Sequence, residues 1–160
     1  MRSSFGVLVA TFLTLPAAAV AQEPVTLAAL EPAEHSIVRS DAVTYAPIEI
    51  PGFDSGMMIA VVHGDPNAQT GDYTLRLKFP DGYRFPAHFH PMAEHVTVLS
   101  GTFLLAMGDE VDTAAIQEYE PGAFLYIPPK DPHYGGAEGV TEIQLHGENP
   151  FQIMLVGSGN

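Results

Sequence analysis

His88 and His90 are separated by a single residue, and Glu94 follows four positions after the second histidine. Side chains alternate across a β-strand, so on a strand these two imidazoles point to the same side. A short turn before Glu94 would bring its carboxylate back to the same point. Imidazole nitrogens and a carboxylate oxygen converging on one spot form a ligand set for a first-row metal ion. With Glu94 pointing inward, Val96 and Val98 share its face, which suits an apolar interior, and His95, Thr97 and Leu99 face the other way. His95 is therefore expected at the surface or in a subunit contact.

Other polar residues are candidates for the same site. Arg84 shares the parity of His88 and His90 and could neutralise an anionic substrate, although Pro86 interrupts the strand pattern; its alternative is a solvated loop arginine. Gln144 and His146 share one face of a late strand. Facing inward, they could bind substrate, support the ligands or move protons; facing outward, they are ordinary surface residues. Tyr126 could donate a hydrogen bond into the interior or pack in its wall. His63, next to Gly64-Asp65-Pro66, is expected in a turn.

The elements that must position these residues are short strands. Met58–Val62, Tyr73–Phe79, Val96–Leu99, Thr102–Met107, Ala123–Ile127, Thr141–His146 and Phe151–Val156 have strand character. Turn signals separate them, among them Pro80-Asp81-Gly82, Ser100-Gly101 and Pro121-Gly122. Many short strands at regular spacing predict an all-β sandwich or barrel. One helical turn is expected at Thr113–Glu118, and there is no internal repeat. Residues 22–57 form an irregular arm interrupted by Pro24, Pro32, Pro47 and Pro51, in which the run from Ile37 to Tyr45 could add an edge strand.

Arg2, the apolar run Phe5–Leu15 and the small-x-small pattern Ala19-Val20-Ala21 predict a cleaved signal peptide over residues 1–21, and hence export to a periplasm or beyond. The run is shorter than the about 20 apolar residues a membrane span needs. Its removal takes away Arg2 and moves the formal charge from −13 to −14. So acidic a chain repels phosphate backbones, which argues against nucleic acid as a partner. The absence of cysteine excludes disulfides, thiol catalysis and thiolate-bound metals.

Gly82, His88, His90, Glu94 and Gly101 stand at the fixed spacings of the first cupin motif, and Gly122, Pro128 and His133 at those of the second. Over residues 58–156 the chain thus resembles the cupin family, in particular its small single-domain members. The resemblance implies a double-stranded β-helix, or jelly-roll barrel, with His88, His90, Glu94 and His133 holding one metal ion inside. Two positions depart from the second motif. Lys130 stands where a glycine is expected, so the tight turn should be made differently, through Pro129 and Asp131-Pro132, and Ala137 replaces an asparagine. Family members that act as thiol dioxygenases lack the glutamate, so Glu94 argues against that activity.

Three nitrogens and one carboxylate on a six-coordinate ion leave two positions for water, dioxygen or a chelating substrate. Mn²⁺, Fe²⁺, Ni²⁺ and Co²⁺ suit such a site, as does four-coordinate Zn²⁺. The expected function is a metal-dependent enzyme on a small molecule, oxygenase-like, or an isomerase or lyase with His146 or Tyr126 moving a proton. The alternative is a non-catalytic metal or small-ligand binding protein of the cell envelope. A homodimer is the expected assembly, since single barrels leave sheet faces and edges to be covered.

Overall fold

The computed structural model describes residues 35–157; the expected leader and residues 22–34 of the arm lie outside that range. Nine strands follow in order: β1 (Ala46–Pro47), β2 (Met58–His63), β3 (Asp72–Phe79), β4 (Arg84–Phe89), β5 (Glu94–Met107), β6 (Gln117–Tyr119), β7 (Phe124–Ile127), β8 (His133–Glu148) and β9 (Met154–Leu155). The described residues contain one 3₁₀ turn, Ser40–Ala42, and no α-helix. Strand β3 shows why the chain folds this way. Tyr73, Leu75, Leu77 and Phe79 are buried, while Thr74, Arg76 and Lys78 between them face outward. Burying each such large apolar side chain contributes about 1.5–3 kcal/mol.

Two long strands organise the sheet. β5 and β8 run antiparallel from Glu94 opposite Gly147 to Met107 opposite His133. Each then shares its two halves between different neighbours: β5 pairs first with β7 and then with β6, and β8 pairs first with β4 and then with β3. Strands β2 and β1 continue outward from β3, and β9 from β4. The sheet curls around one apolar core that takes residues from β2, β3, β4, β5, β7 and β8, giving a jelly-roll barrel. Ile48, Ile50 and Met57 of the arm join that core.

Ser100-Gly101 is a bend inside one strand, where the sequence suggested a turn between two. Pairing with β8 slips on both sides of Ser100, and the strand changes direction without ending. Gly101 has φ of 74°, and a Cβ there would lie 2.4 Å from Thr141 Oγ1 and 2.5 Å from the Val140 carbonyl oxygen. The fully buried Thr141 hydroxyl accepts a hydrogen bond from the Thr102 N–H at 3.1 Å, which pins the bend.

Two other expectations are corrected. The run from Ile37 forms no strand; it holds the 3₁₀ turn, and Ile37 is exposed. The arm's strand is instead β1, on the outer edge where Pro47 costs no interior ladder bond. Residues 112–115 make a turn closed by the Ala115 N–H to the Asp112 carbonyl, and Gln117–Tyr119 is a strand and not helix.

Gly101→Ala should lower unfolding stability by about 1–3 kcal/mol, because the added methyl meets backbone and φ stays positive. Chemical denaturation checks this; an unchanged midpoint would mean the corner tolerates a side chain.

Candidate metal centre

His88 lies in β4 and is paired directly with His133, the first residue of β8; Glu94 opens β5, and His90 sits in the connection between β4 and β5. The curled sheet brings these strand ends together. The ring centroids of His88 and His133 are 4.3 Å apart, those of His88 and His90 5.1 Å, and those of His90 and His133 5.5 Å. One nitrogen from each ring falls within 4.8 Å of the other two, so the three could hold a metal ion. Glu94 Oε1 lies 3.2 Å from His90 Nε2, and Glu94 Oε2 3.6 Å from His133 Nε2. All four residues are buried.

The hydrogen bonds decide which nitrogen faces the centre. His88 Nδ1 donates to the Pro86 carbonyl at 2.9 Å, His90 Nδ1 to the Gln152 carbonyl at 2.8 Å, and His133 Nδ1 to the Asp131 carbonyl at 3.1 Å. A carbonyl oxygen can only accept, so each Nδ1 carries the proton and each neutral ring keeps a lone pair on Nε2. The Glu94 carboxylate faces the lone pairs of His90 and His133, and its Oε1 finds no hydrogen-bond donor among the described residues. Acceptors gathered without a donor, in apolar surroundings, are matched by a cation. The residues present therefore fit a divalent first-row ion.

Burial shapes the protonation states. It holds His88 and His133 below the usual imidazole range and pulls His90 down to about 3, with neighbouring imidazoles adding to the shift at His88 and His90. Burial pushes the Glu94 carboxyl up to about 8. A metal-free centre thus keeps neutral imidazoles and a proton on Glu94, which can be donated to His90 Nε2. Metal and that proton compete for the same place.

Around these four residues lies an apolar cavity of about 60 Å³. Apart from the four ligand residues, every residue lining it is apolar. Phe53 and Phe85 meet the His88 ring edge-on at 4.9 and 5.4 Å, and Phe151 stacks on His90 at 5.5 Å. Ile48, Ile50, Phe53 and Met57 of the arm complete the wall. Of the wall, strand parity placed Val96 inward from the sequence, but none of the arm or aromatic residues was singled out as lining the site. For two of the second-layer carbonyls a local signal existed: Pro86 and Asp131 each stand two residues before a histidine that they orient.

The remaining candidates sit elsewhere. Arg84 is exposed, and its Nη1 donates to the carbonyls of Tyr83 (2.8 Å) and Ala137 (3.0 Å). Pairing between β4 and β8 slips between Phe85 and His88, so parity counted from the histidines fails at Arg84. Gln144 accepts from Arg76 Nε at 3.3 Å on the outer face, His146 is exposed beside Thr74, and Tyr126 is 55% exposed. None of these four lines the cavity. His95 faces outward, and His63 ends β2.

Lys130 corrects the expectation for the second motif. It adopts the left-handed conformation a glycine would supply (φ 63°), and its N–H donates to the His90 carbonyl at 2.8 Å. The turn is kept, at a strain of about 1–2 kcal/mol. Ala137 is fully buried, with its N–H on the Tyr83 carbonyl.

The sequence matches the Cupin domain family over residues 75–146, the stretch that carries His88, Glu94 and His133 into the barrel from β4, β5 and β8 and His90 from the connection between β4 and β5. This stretch is a cupin domain. Solved structures with the same fold include the polyketide cyclase RemF from Streptomyces resistomycificus (18% identity, TM-score 0.63, covering 76% of this chain and 85% of that one). A candidate acetylacetone dioxygenase from Methylibium petroleiphilum PM1 gives 16% identity, a TM-score of 0.61 and coverage of 82% and 88%. A salicylate 1,2-dioxygenase variant from Pseudoaminobacter salicylatoxidans in complex with gentisate gives 14% identity, a TM-score of 0.51 and coverage of 66% and 27%. No curated protein matches this cupin.

Metal binding should release one proton from the centre, so apparent affinity should rise about tenfold per pH unit up to about pH 8. The sign follows from Glu94. Its folded value of about 8 lies above the ordinary 4.5, so its contribution to metal-free stability is complete below 4.5 and lost as pH rises through 8. His90 works oppositely, its contribution being present above 6.5 and lost as pH falls toward 3. Between pH 6.5 and 8 the Glu94 change dominates, and chelator-treated protein should lose thermal stability as the metal-loaded form gains affinity. Metal titration at several pH values checks both, with His90→Ala expected to lose tight binding; a flat pH profile would contradict the Glu94 assignment.

Proposed function

We propose that this cupin is a metal-dependent enzyme acting on a small, largely apolar molecule, oxygenase-like in type, with His88, His90, Glu94 and His133 as metal ligands. The observation that carries this reading is a four-residue polar centre set in a cavity with otherwise apolar walls. A divalent ion bound there supplies Lewis acidity and, for Fe²⁺ or Mn²⁺, a place for dioxygen chemistry. The chain's own residues do the rest. The carbonyls of Pro86, Gln152 and Asp131 hold the imidazoles in one tautomer and one orientation. Phe53 and Phe151 pack against His88 and His90 and exclude water.

The cavity also narrows the substrate class. Three neutral imidazoles and one carboxylate leave a divalent ion with one positive charge over, and no Lys or Arg lines the wall. The charge balance favours a ligand that binds as a monoanion through oxygen and is otherwise apolar, such as an enol or a phenol. The polyketide cyclase and the gentisate-bound dioxygenase are related folds named for small cyclic or aromatic chemistry, which supports the same reading. An isomerase or lyase reading survives in altered form. With His146 and Tyr126 outside the cavity, it keeps the Lewis acidity of a bound metal but loses both of its expected proton carriers.

Protein loaded separately with Fe²⁺, Mn²⁺, Co²⁺, Ni²⁺ or Zn²⁺ should transform members of a panel of β-diketones, phenols and catechols. Oxygen uptake and product mass should be followed together, and His90→Ala should lower turnover by about a hundredfold or more. Stoichiometric binding without product would replace the enzyme by a binding protein. Export is part of the proposal. Intact mass of the protein from the cell envelope or medium should correspond to a chain beginning at Gln22; a retained Met1 would remove it.

A further inference from the structure

Three of the seven histidines build the inner centre, and three others, His63, His95 and His146, lie on the outer face of the same sheet. They fall in one cross-strand row. Reading across β2, β3, β8, β5 and β7, the directly paired residues are His63, Thr74, His146, His95 and Tyr126. Directly paired residues of an antiparallel sheet share a face, with Cβ atoms about 4.5–5.5 Å apart. His146 and His95 are adjacent in this row, with ring centroids 6.1 Å apart. The inner rings stand at 4.3–5.5 Å, so a small rotation about the side-chain bonds brings the outer pair to chelating separation.

Local chemistry prepares both rings. The hydrogen bond between Thr74 Oγ1 and His146 Nδ1 at 3.1 Å steers that ring and leaves Nε2 as the ligand atom. His95 Nδ1 is shielded from solvent and has no hydrogen-bond partner among the described residues. Tyr126 at 5.2 Å and Phe124 at 6.1 Å flank the His95 ring and limit its freedom. A net charge of −13 concentrates divalent cations at the surface.

We propose that His95 and His146 form a second, solvent-facing metal site, a cross-strand imidazole pair taking a borderline ion such as Zn²⁺ or Cu²⁺ with water completing the shell. The assignment is independent of any reaction at the inner centre. His63 lies beyond Thr74, beside Asp72 at 3.9 Å, and is not a ligand of this site.

Protein prepared without a metal-affinity step and stripped with chelator should be titrated with Zn²⁺ and, separately, Cu²⁺. Imidazole ring signals should be followed by NMR and bound metal by equilibrium dialysis. The unaltered protein is expected to bind two equivalents, with the His95 and His146 ring signals responding to one of them. His146→Ala should weaken that equivalent about tenfold or more while the inner one remains, and His95→Gln should do the same. His90→Ala should lose the inner equivalent and keep the outer, and His63→Ala should keep both. Binding that His90→Ala abolishes entirely, or binding that is unmoved in both His146→Ala and His95→Gln, would overturn the site.

Discussion

Three backbone carbonyls fix the character of this molecule. By accepting hydrogen bonds from Nδ1 of His88, His90 and His133, they turn three lone pairs inward, two of them toward the Glu94 carboxylate. An apolar wall surrounds that point, so no further polar side chain is at hand to offset the electrostatic mismatch. The same wall keeps the imidazoles neutral and makes the carboxylate reluctant to ionise until positive charge arrives. A proton on Glu94 and a metal ion at the three histidines would therefore compete for one arrangement.

The barrel supplies the geometry without supplying the chemistry. β5 and β8 bring Glu94 and His133 from opposite ends of one long pairing, and the bend at Gly101 and Thr141 lets that pairing wrap around the core. β4 contributes His88 beside His133, and the connection after it carries His90. The loop before His133 is tied back through Lys130 to the His90 carbonyl, so that the connection and the strand end hold each other. That contact accounts for a strained backbone at a non-glycine residue, since φ near 63° is what aims the Lys130 N–H.

Much of this was legible in the sequence, because strand parity and motif spacing are local properties. His88, His90 and Glu94 declare themselves by spacing, and His95 is turned away from the cavity by alternation alone. Most of the strands that build the barrel could be placed by their apolar alternation and flanking turns. Parity failed where pairing slips: Arg84 lies across the irregularity between Phe85 and His88, and a sequence carries no direct mark of a bulge. Ser100-Gly101 misled for a related reason, since a glycine with positive φ serves a turn and a strand bend equally well. The face chosen by Gln144 and His146 depended on which side of β8 meets the core, a tertiary fact. The arm escaped because its contacts with the cavity come from scattered residues with no period to read.

That arm has a consequence for how such a protein can change. Ile48, Ile50, Phe53 and Met57 shape the cavity, yet their segment joins the sheet through a two-residue strand and a few further backbone hydrogen bonds. The ligands and their supporting carbonyls, in contrast, all lie between Pro86 and Gln152, within and between the strands of the barrel. Replacement of arm residues can thus redraw the volume above the centre while the ligands and the main ladders stay as they are. Selection on new molecules would act first on this stretch, where swaps among apolar side chains of similar volume can reshape the pocket.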